Sequence, residues 1–122
     1  MSEGLRRLIE ERLRARDEVI REAKRLALRL REALGQVSLL LYGSYARGDF
    51  NLWSDIDVIV VSEAFKGVNP LRRYDMIAAY IPPGFEVKCL TPDEAARYLS
   101  KPWGREILRE GIVIEDGYGV FS

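Results

Sequence analysis

The chain has 122 residues, of which 48% are hydrophobic and 31% charged, and its 19 basic side chains balance its 19 acidic ones. This length and composition indicate a single globular domain with a buried core and exclude a multidomain machine. No stretch approaches the roughly 18 apolar residues of a membrane span, and the chain opens without an apolar signal core. We therefore expect a cytoplasmic protein that does not bind membranes, and the balanced charge gives no indication of nucleic-acid binding.

The residue types that the chain lacks exclude several classes of catalytic and metal site. The chain contains no histidine and a single cysteine, Cys89. Zinc sites built on histidine, Ser-His-Asp triads, Cys-His dyads and an internal disulfide are therefore excluded. Any catalysis must use carboxylates, hydroxyls, Arg, Lys, backbone amides or a hard metal such as magnesium.

The chain begins with a long helical pattern. Apolar residues recur at helical spacing from Glu3 to about Leu34, without proline, and Gly35 supplies the stop. We expect the second half of this helix, from Ile20 onward, to pack on the sheet. The first half could extend past the body of the domain, and its apolar stripe could serve a partner chain or a second copy.

Shorter elements follow the long helix. Apolar, β-branched runs predict buried strands at Val37–Tyr42, Ile56–Val61 and Phe85–Leu90, and a short edge strand at Gly111–Ile114. Helices are predicted at Pro70–Tyr80, from the Thr91 N-cap through Ala95–Leu99, and at Pro102–Glu110, with a turn and short helix within Gly43–Ser54. The tail from Asp116 is expected to fray. This order of elements predicts an α/β (α+β) fold in which helices flank a mixed sheet of about four strands.

Two carboxylates mark the start of the second predicted strand. Asp55 and Asp57 stand two residues apart, and side chains alternate between the faces of a strand, so both should project from the same side. Two like charges held together need a cation, and magnesium, which prefers one or two carboxylates plus substrate phosphates, fits best. The alternative is that Ser54-Asp55 is only a strand entry.

A possible phosphate cradle precedes these carboxylates. Gly43 and Ser44 end the first predicted strand and open a short helix, which offers unpaired backbone amides to a phosphate. Arg47 lies one turn further on and could add a charge-assisted contact. A Gly-Ser pair after a strand is more often a simple tight turn. A cradle beside a carboxylate pair, however, is what metal-dependent phosphoryl or nucleotidyl transfer requires.

Together these motifs resemble the minimal nucleotidyltransferases of the DNA polymerase β superfamily. The family pattern is Gly-Ser, ten residues and Asp-x-Asp, and here Gly43-Ser44 is followed at that separation by Asp55-Ile56-Asp57. The resemblance covers nearly all of the chain beyond about Leu34. It implies one nucleotidyltransferase domain over residues 1–122, with the long helix in 1–35 and the catalytic core in 36–116.

The resemblance also implies a reaction and roles for individual residues. The family transfers a nucleoside monophosphate from ATP to a hydroxyl acceptor with two magnesium ions. Asp55 and Asp57 would ligate metal, and Gly43, Ser44 and, less directly, Arg47 would hold the nucleotide.

Glu86 matches the family's third carboxylate, on a later strand, as metal ligand and catalytic residue. It is one methylene longer than the more usual Asp. With no histidine present, the acceptor's proton would go to Glu86 or to a metal-bound hydroxide. The alternative is an edge-strand carboxylate paired with Lys88 or an Arg.

Small members of the family are often antitoxins of HEPN-domain toxins, some of which they modify by adding AMP to a tyrosine. The resemblance therefore implies a HEPN-domain partner for this chain, and a homodimer through the first helix is a further possibility. The alternative function is a nucleotide-binding module that neutralises its partner by binding alone. A third idea makes Tyr45, Phe50 and Trp53 a stacking platform for nucleic acid, although such aromatics more often cover a core or line a pocket.

Overall fold

The computed structural model describes residues 2–51 and 53–122. Within them the helices are α1 (Glu3–Leu34), α2 (Ser44–Arg47), α3 (Pro70–Ile77), α4 (Pro92–Ser100) and α5 (Pro102–Glu110). The strands are β1 (Ser38–Tyr42), β2 (Ile56–Val61), β3 (Phe85–Leu90) and β4 (Ile112–Asp116). These elements confirm the predicted fold class, a mixed sheet flanked by helices with a long helix at the start of the chain.

The four strands form one sheet in the order β3-β2-β1-β4. Strand β1 is antiparallel to both β2 and β4, whereas β2 and β3 are parallel. The central strands β1 and β2 are buried along nearly their whole length. Strands covered on both faces carry continuous apolar runs instead of alternating ones, which explains the sequence of these two.

Hydrophobic side chains pack on both faces of the sheet. Leu39 and Leu41 face the layer formed by α1, whereas Leu40, between them, faces α4 and α5. Alternate residues of one strand therefore contribute to two separate clusters. Helices therefore cover both faces of the sheet. Polar side chains near the ends of its strands lie outside these two apolar clusters and are available for a site.

Helix α1 has two unlike halves. Its N-terminus is capped by the Ser2 hydroxyl, which accepts a hydrogen bond from the Leu5 amide, and Gly35 ends it with a φ of 84°. Its buried residues begin at Val19, and the C-terminal half packs Leu26 and Leu30 against the sheet. Most of the first half is exposed, which decides between the two arrangements that the sequence left open.

The C-terminal tail is ordered, and the expectation that it frays from Asp116 is wrong. The Asp116 carboxylate accepts hydrogen bonds from the Ser38 hydroxyl at 2.8 Å and from the amides of Val120 and Phe121 at 2.9 and 3.1 Å. The Phe121 side chain is buried in the cluster under α4 and α5. A carboxylate that collects three donors fixes the turn, and the aromatic side chain anchors the end of the chain.

Within the described residues, no helix combines the length and the apolar character needed to cross a membrane.

Candidate active site

The turn after β1 lies directly against the carboxylate of Asp57. Gly43 has a φ of 77° and a ψ of −154°, in a region that L side chains rarely adopt. A Cβ atom at this position would collide with Asp57 Oδ2 and lie 3.3 Å from its Cγ. Only glycine therefore allows the backbone to approach the carboxylate so closely, and the four-residue helix α2 starts from this contact.

Three strands bring polar side chains into one row. Asp57 on β2 is the register partner of Tyr42 on β1 and of Glu86 on β3. Partners across a sheet project from the same face, so the three side chains lie side by side. Asp55 precedes β2 by one residue. Asp57 is half-buried, whereas Asp55 and Glu86 are exposed.

The negative charges of this row are compensated only in part. Burial raises the pKa of Asp57, and the charges of Glu86 and Asp55 raise it further, with Arg47 opposing them in part. Burial, followed by the charge of Asp57, raises the pKa of Tyr42 to about 12. A cation beside Asp57 would relieve this repulsion.

The donor set suits a hard cation. Asp55, Asp57 and Glu86 offer only oxygen ligands, which magnesium prefers, together with phosphate oxygens and water. In residues 2–51 and 53–122, no three carboxylate or thiol side chains stand close enough to form a finished metal site. The exposed Asp55 and Glu86 can turn toward a bound ion, so the residues fit a metal that is held jointly with substrate phosphates.

Arg47 is engaged with acidic neighbours. Its guanidinium donates to Asp49 at 3.2 Å and to Glu110, at the end of α5, at 3.4 Å. The hydrogen bond to Asp49 is the main reason that the pKa of Arg47 is raised. Arg47 thus links α2 to α5 through Nε and Nη1, and its half-exposed guanidinium keeps further N–H donors that a nucleotide could use.

One residue of the acidic row, Tyr42, was missed by the sequence analysis, because strand register, which no local pattern encodes, brings it beside Asp57. Lys88, which the sequence analysis considered as an ion-pair partner of Glu86, follows Glu86 by two residues on the same face of β3. Its Nζ atom lies 5.3 Å from the centre of the Tyr98 ring.

The proposed pairing of Glu86 with Lys88 or an Arg is not seen. Glu86 forms no ion pair with any residue of the described ranges. An exposed carboxylate on an edge strand, beside Asp57 and without an ion-pair partner, is available to a ligand.

The aromatic residues in α2 and in the segment after it do not form an open platform. Phe50 is buried, and its ring stacks on Tyr45 at 4.1 Å with an interplanar angle of 12°. The guanidinium of Arg12 covers the Phe50 ring at 5.6 Å. Trp53, by contrast, is 91% exposed. Tyr45 and Phe50 therefore close the fold beside the Gly43 turn, as the alternative interpretation of these aromatics predicts.

Comparison with known proteins agrees with this geometry. A family model described as a nucleotidyltransferase domain matches residues 23–107, which include the Gly43 turn and all three carboxylates. The chain therefore belongs to the nucleotidyltransferase domain family, and its general activity is nucleotidyl transfer. The resemblance to the DNA polymerase β superfamily is thereby confirmed.

The fold is also found among solved structures. A protein from Sulfolobus solfataricus, described as a candidate nucleotidyltransferase, is 18% identical, with a TM-score of 0.62 over 84% of each chain. At this identity the likeness concerns the fold. A search of curated proteins gave no match.

Proposed function

We propose that this chain is a magnesium-dependent enzyme that transfers AMP from ATP to a hydroxyl group of a partner protein, a HEPN-domain toxin, and thereby acts as its antitoxin. The observation that supports this most is the contact between the Gly43 turn and the Asp57 carboxylate. It places backbone amides that suit a triphosphate next to carboxylates that suit a metal. The cytoplasm, which supplies both ATP and magnesium, is where we expect it to work.

Each residue has a role in the proposed reaction. Gly43 and Ser44 hold the triphosphate, and Asp55, Asp57 and Glu86 hold magnesium, which would offset charge on the transferring group. The acceptor oxygen forms a bond to the α-phosphorus while the bond from that phosphorus to the bridging oxygen breaks, and pyrophosphate leaves. Exposed and next to Asp57, Glu86 takes the acceptor's proton.

The partner surface that we propose is the first half of α1. Leu5, Leu8, Ile9 and Leu13 are large apolar side chains there that are 41% to 56% exposed. Leu8 lines a cavity of about 360 Å³ between α1 and the segment around Phe50 and Trp53. Ile9 and Leu13 line a second cavity, of about 240 Å³, on the other side of Phe50 and Arg12. This stripe lies before the start of the family match at residue 23. A surface outside the shared domain suits a partner specific to this chain, and we assign it to the HEPN-domain protein.

A double variant tests this surface. Leu8→Asp with Leu13→Asp should abolish co-purification of the partner. Leu28→Asp is the matched control, because Leu28 is an exposed leucine of the same helix, at 58%, but lies beyond the stripe. A change from dimer to monomer without any partner loss would instead assign the stripe to a second copy of the chain.

Transfer is tested with ATP labelled at the α-phosphate, incubated with the chain, magnesium and a HEPN-domain protein from a source genome that encodes one next to the chain. We expect label on a tyrosine of the partner and none with Asp57→Asn. Label that remains with Asp57→Asn, or its absence with the unmodified chain while the toxin is still neutralised, would contradict the enzymatic proposal.

A second candidate is a nucleotide-binding module that neutralises its partner by binding alone. Two observations favour it: the third carboxylate is a glutamate, and it stands exposed instead of converging with Asp55 and Asp57. On this account Asp57→Asn would leave neutralisation intact. An enzyme would lose neutralisation with the same substitution, so toxicity measured in cells that carry Asp57→Asn separates the two candidates.

A further inference from the structure

The short helix α2 cannot satisfy its own carbonyl groups. The Gly43 carbonyl accepts from the Arg47 amide at 3.0 Å, and the Ser44 carbonyl accepts from the Gly48 and Asp49 amides at 2.8 and 3.1 Å. Gly48 then takes a left-handed conformation, with a φ of 90°, and turns the chain away. The carbonyls of Tyr45 and Ala46 receive no amide hydrogen bond from the described backbone, and carbonyls in this position need another donor.

Arg16 supplies both missing donors from a distant part of the chain. Its Nε donates to the Tyr45 carbonyl at 2.9 Å, and its Nη2 donates to the Ala46 carbonyl at 2.8 Å. The two bonds use the fixed fork of one guanidinium, and a cation at the C-terminal end of a helix is also favoured electrostatically. The residues joined are 29 and 30 positions apart in the sequence.

The neighbouring turn of α1 contacts the same segment. Arg12, one turn before Arg16, lies over the Phe50 ring, which in turn stacks on Tyr45. Val19, one turn after Arg16, is the first residue of α1 that is buried. The contacts of α1 with α2 therefore lie where the exposed half of α1 meets the half that packs on the sheet. Arg16 stands one turn from the first buried residue of the helix, so its backbone is held close to the core.

The position of α2 sets that of the Gly43 turn. Because α2 begins at Ser44 and spans four residues, a shift at Tyr45 or Ala46 moves the amides of Gly43 and Ser44. The same turn is in close contact with Asp57, where there is no space even for a Cβ atom. We propose that Arg16 is a positioning residue, which holds the Gly43-Ser44 turn against Asp57 through the two carbonyls at the end of α2. This role rests on the proposed nucleotide site.

The test compares Arg16→Met with Arg14→Met in the full chain. Methionine keeps an unbranched apolar stem and loses both donors, and Arg14 is an exposed arginine of the same helix turn. We expect Arg16→Met to weaken magnesium-dependent ATP binding about 10-fold, measured by calorimetry, and Arg14→Met to leave it unchanged. Arg16→Lys keeps the charge and N–H donors but loses the fixed fork that reaches both carbonyls, so it should restore part of the affinity.

A second readout does not depend on ATP. In ¹H–¹⁵N spectra of the ligand-free protein, the amide resonances of Gly43 and Ser44 should move in Arg16→Met and stay in place in Arg14→Met. Should Arg16→Met fail to fold, Arg16→Lys carries the same comparison with a smaller shift.

The two readouts separate the failure of this inference from failure of the proposed function. If the unmodified chain binds no ATP but the Gly43 and Ser44 amides shift in Arg16→Met, the positioning role of Arg16 is supported and the proposed nucleotide site is contradicted. Unmoved Gly43 and Ser44 amides together with wild-type ATP affinity in Arg16→Met would overturn the role of Arg16.

Discussion

Glu94 and Asp57 are both half-buried carboxylates, but the groups around them shift their pKa values in opposite directions. Glu94 pairs with Arg73, with its closest oxygen 2.5 Å from the guanidinium, and also accepts from the Thr91 amide at 2.8 Å. These partners, the Arg73 hydrogen bond first, lower the pKa of Glu94 to about 2. Asp57 forms no hydrogen bond or ion pair with a side chain of residues 2–51 and 53–122, and burial and like charges raise its pKa.

The difference separates a carboxylate whose ionised form stabilises the fold from one whose surroundings disfavour the ionised form. The Arg73 side chain is nearly buried and also donates to the carbonyls of Val68 and Cys89, so the Glu94 pair joins α3, β3 and α4. Negative charge that the chain itself does not neutralise, as at Asp57, is typical of functional sites.

The strongest test of this contrast is Asp57→Asn. We expect nucleotidyl transfer to fall by about 1000-fold, since a ligand for the metal and its charge are lost. In the absence of magnesium the free energy of unfolding should stay the same or rise, because the ionised Asp57 destabilises the folded state. Urea unfolding with and without magnesium measures this. A large loss of stability without magnesium would mean that Asp57 is a structural carboxylate like Glu94.

For Glu94→Gln we expect the stability to fall and ATP binding to be kept. This variant leaves the nearly buried Arg73 without its counter-charge, which should cost about 3 kcal/mol of stability. Binding of ATP should be kept at a temperature where the variant is folded. Unchanged stability in urea would show that the carbonyl groups around Arg73 are sufficient without the carboxylate.

Acid should remove the stabilisation by Glu94. Because the folded-state pKa is about 2, below the ordinary value of 4.5, this stabilisation is complete above about pH 4.5 and is lost as the pH falls toward 2. Unfolding measured across this range should show a steeper loss for the unmodified chain than for Glu94→Gln. Parallel curves for the two proteins would contradict the assignment.

Gly43→Ala tests the contact between the Gly43 backbone and the Asp57 carboxylate. The φ of 77° and ψ of −154° at Gly43 lie in a region that is essentially restricted to glycine and costs other residues about 1–3 kcal/mol, and the added Cβ must also push the turn away from Asp57. We expect weaker ATP binding by calorimetry as well as lower stability. Gly48→Ala is the matched control, since Gly48 has a φ of 90° but open space around its Cβ position. Equal ATP affinities in the two variants would show that contact with Asp57 does not matter.

The smallest effect is expected for Glu86→Asp. Glu86→Asp introduces a carboxylate that is one methylene shorter and should change the rate of transfer by only a few-fold. Glu86→Gln should lower the rate much more, because it removes the proton acceptor that we propose. Rates measured with α-labelled ATP check this. Equal rates for Glu86→Gln and the unmodified chain would remove Glu86 from the site.

Local patterns in the sequence predicted most of the fold. The bounds of α1, β2, β3 and α5 agree with the structure, because helical periodicity, apolar runs and proline or glycine at the ends are local signals. The approach of the Gly-Ser turn to the carboxylate pair was also expected, through the family pattern in which both occur.

Contacts between distant residues could not be predicted in the same way. Tyr42 is placed beside Asp57 by strand register, and Arg16 reaches Tyr45 across 29 residues. Asp116 anchors the tail through Ser38, 78 residues away. Each depends on how finished elements pack together, which no local spacing of residues encodes.

The central claim is that Asp57 and its neighbours form a metal and nucleotide site. The most direct measurement is calorimetric titration of the purified chain with ATP, with and without magnesium, beside an Asp55→Asn, Asp57→Asn double variant. We predict binding that requires magnesium and is lost in the double variant. Absence of binding by the unmodified chain, or equal binding by the variant, would contradict the claim.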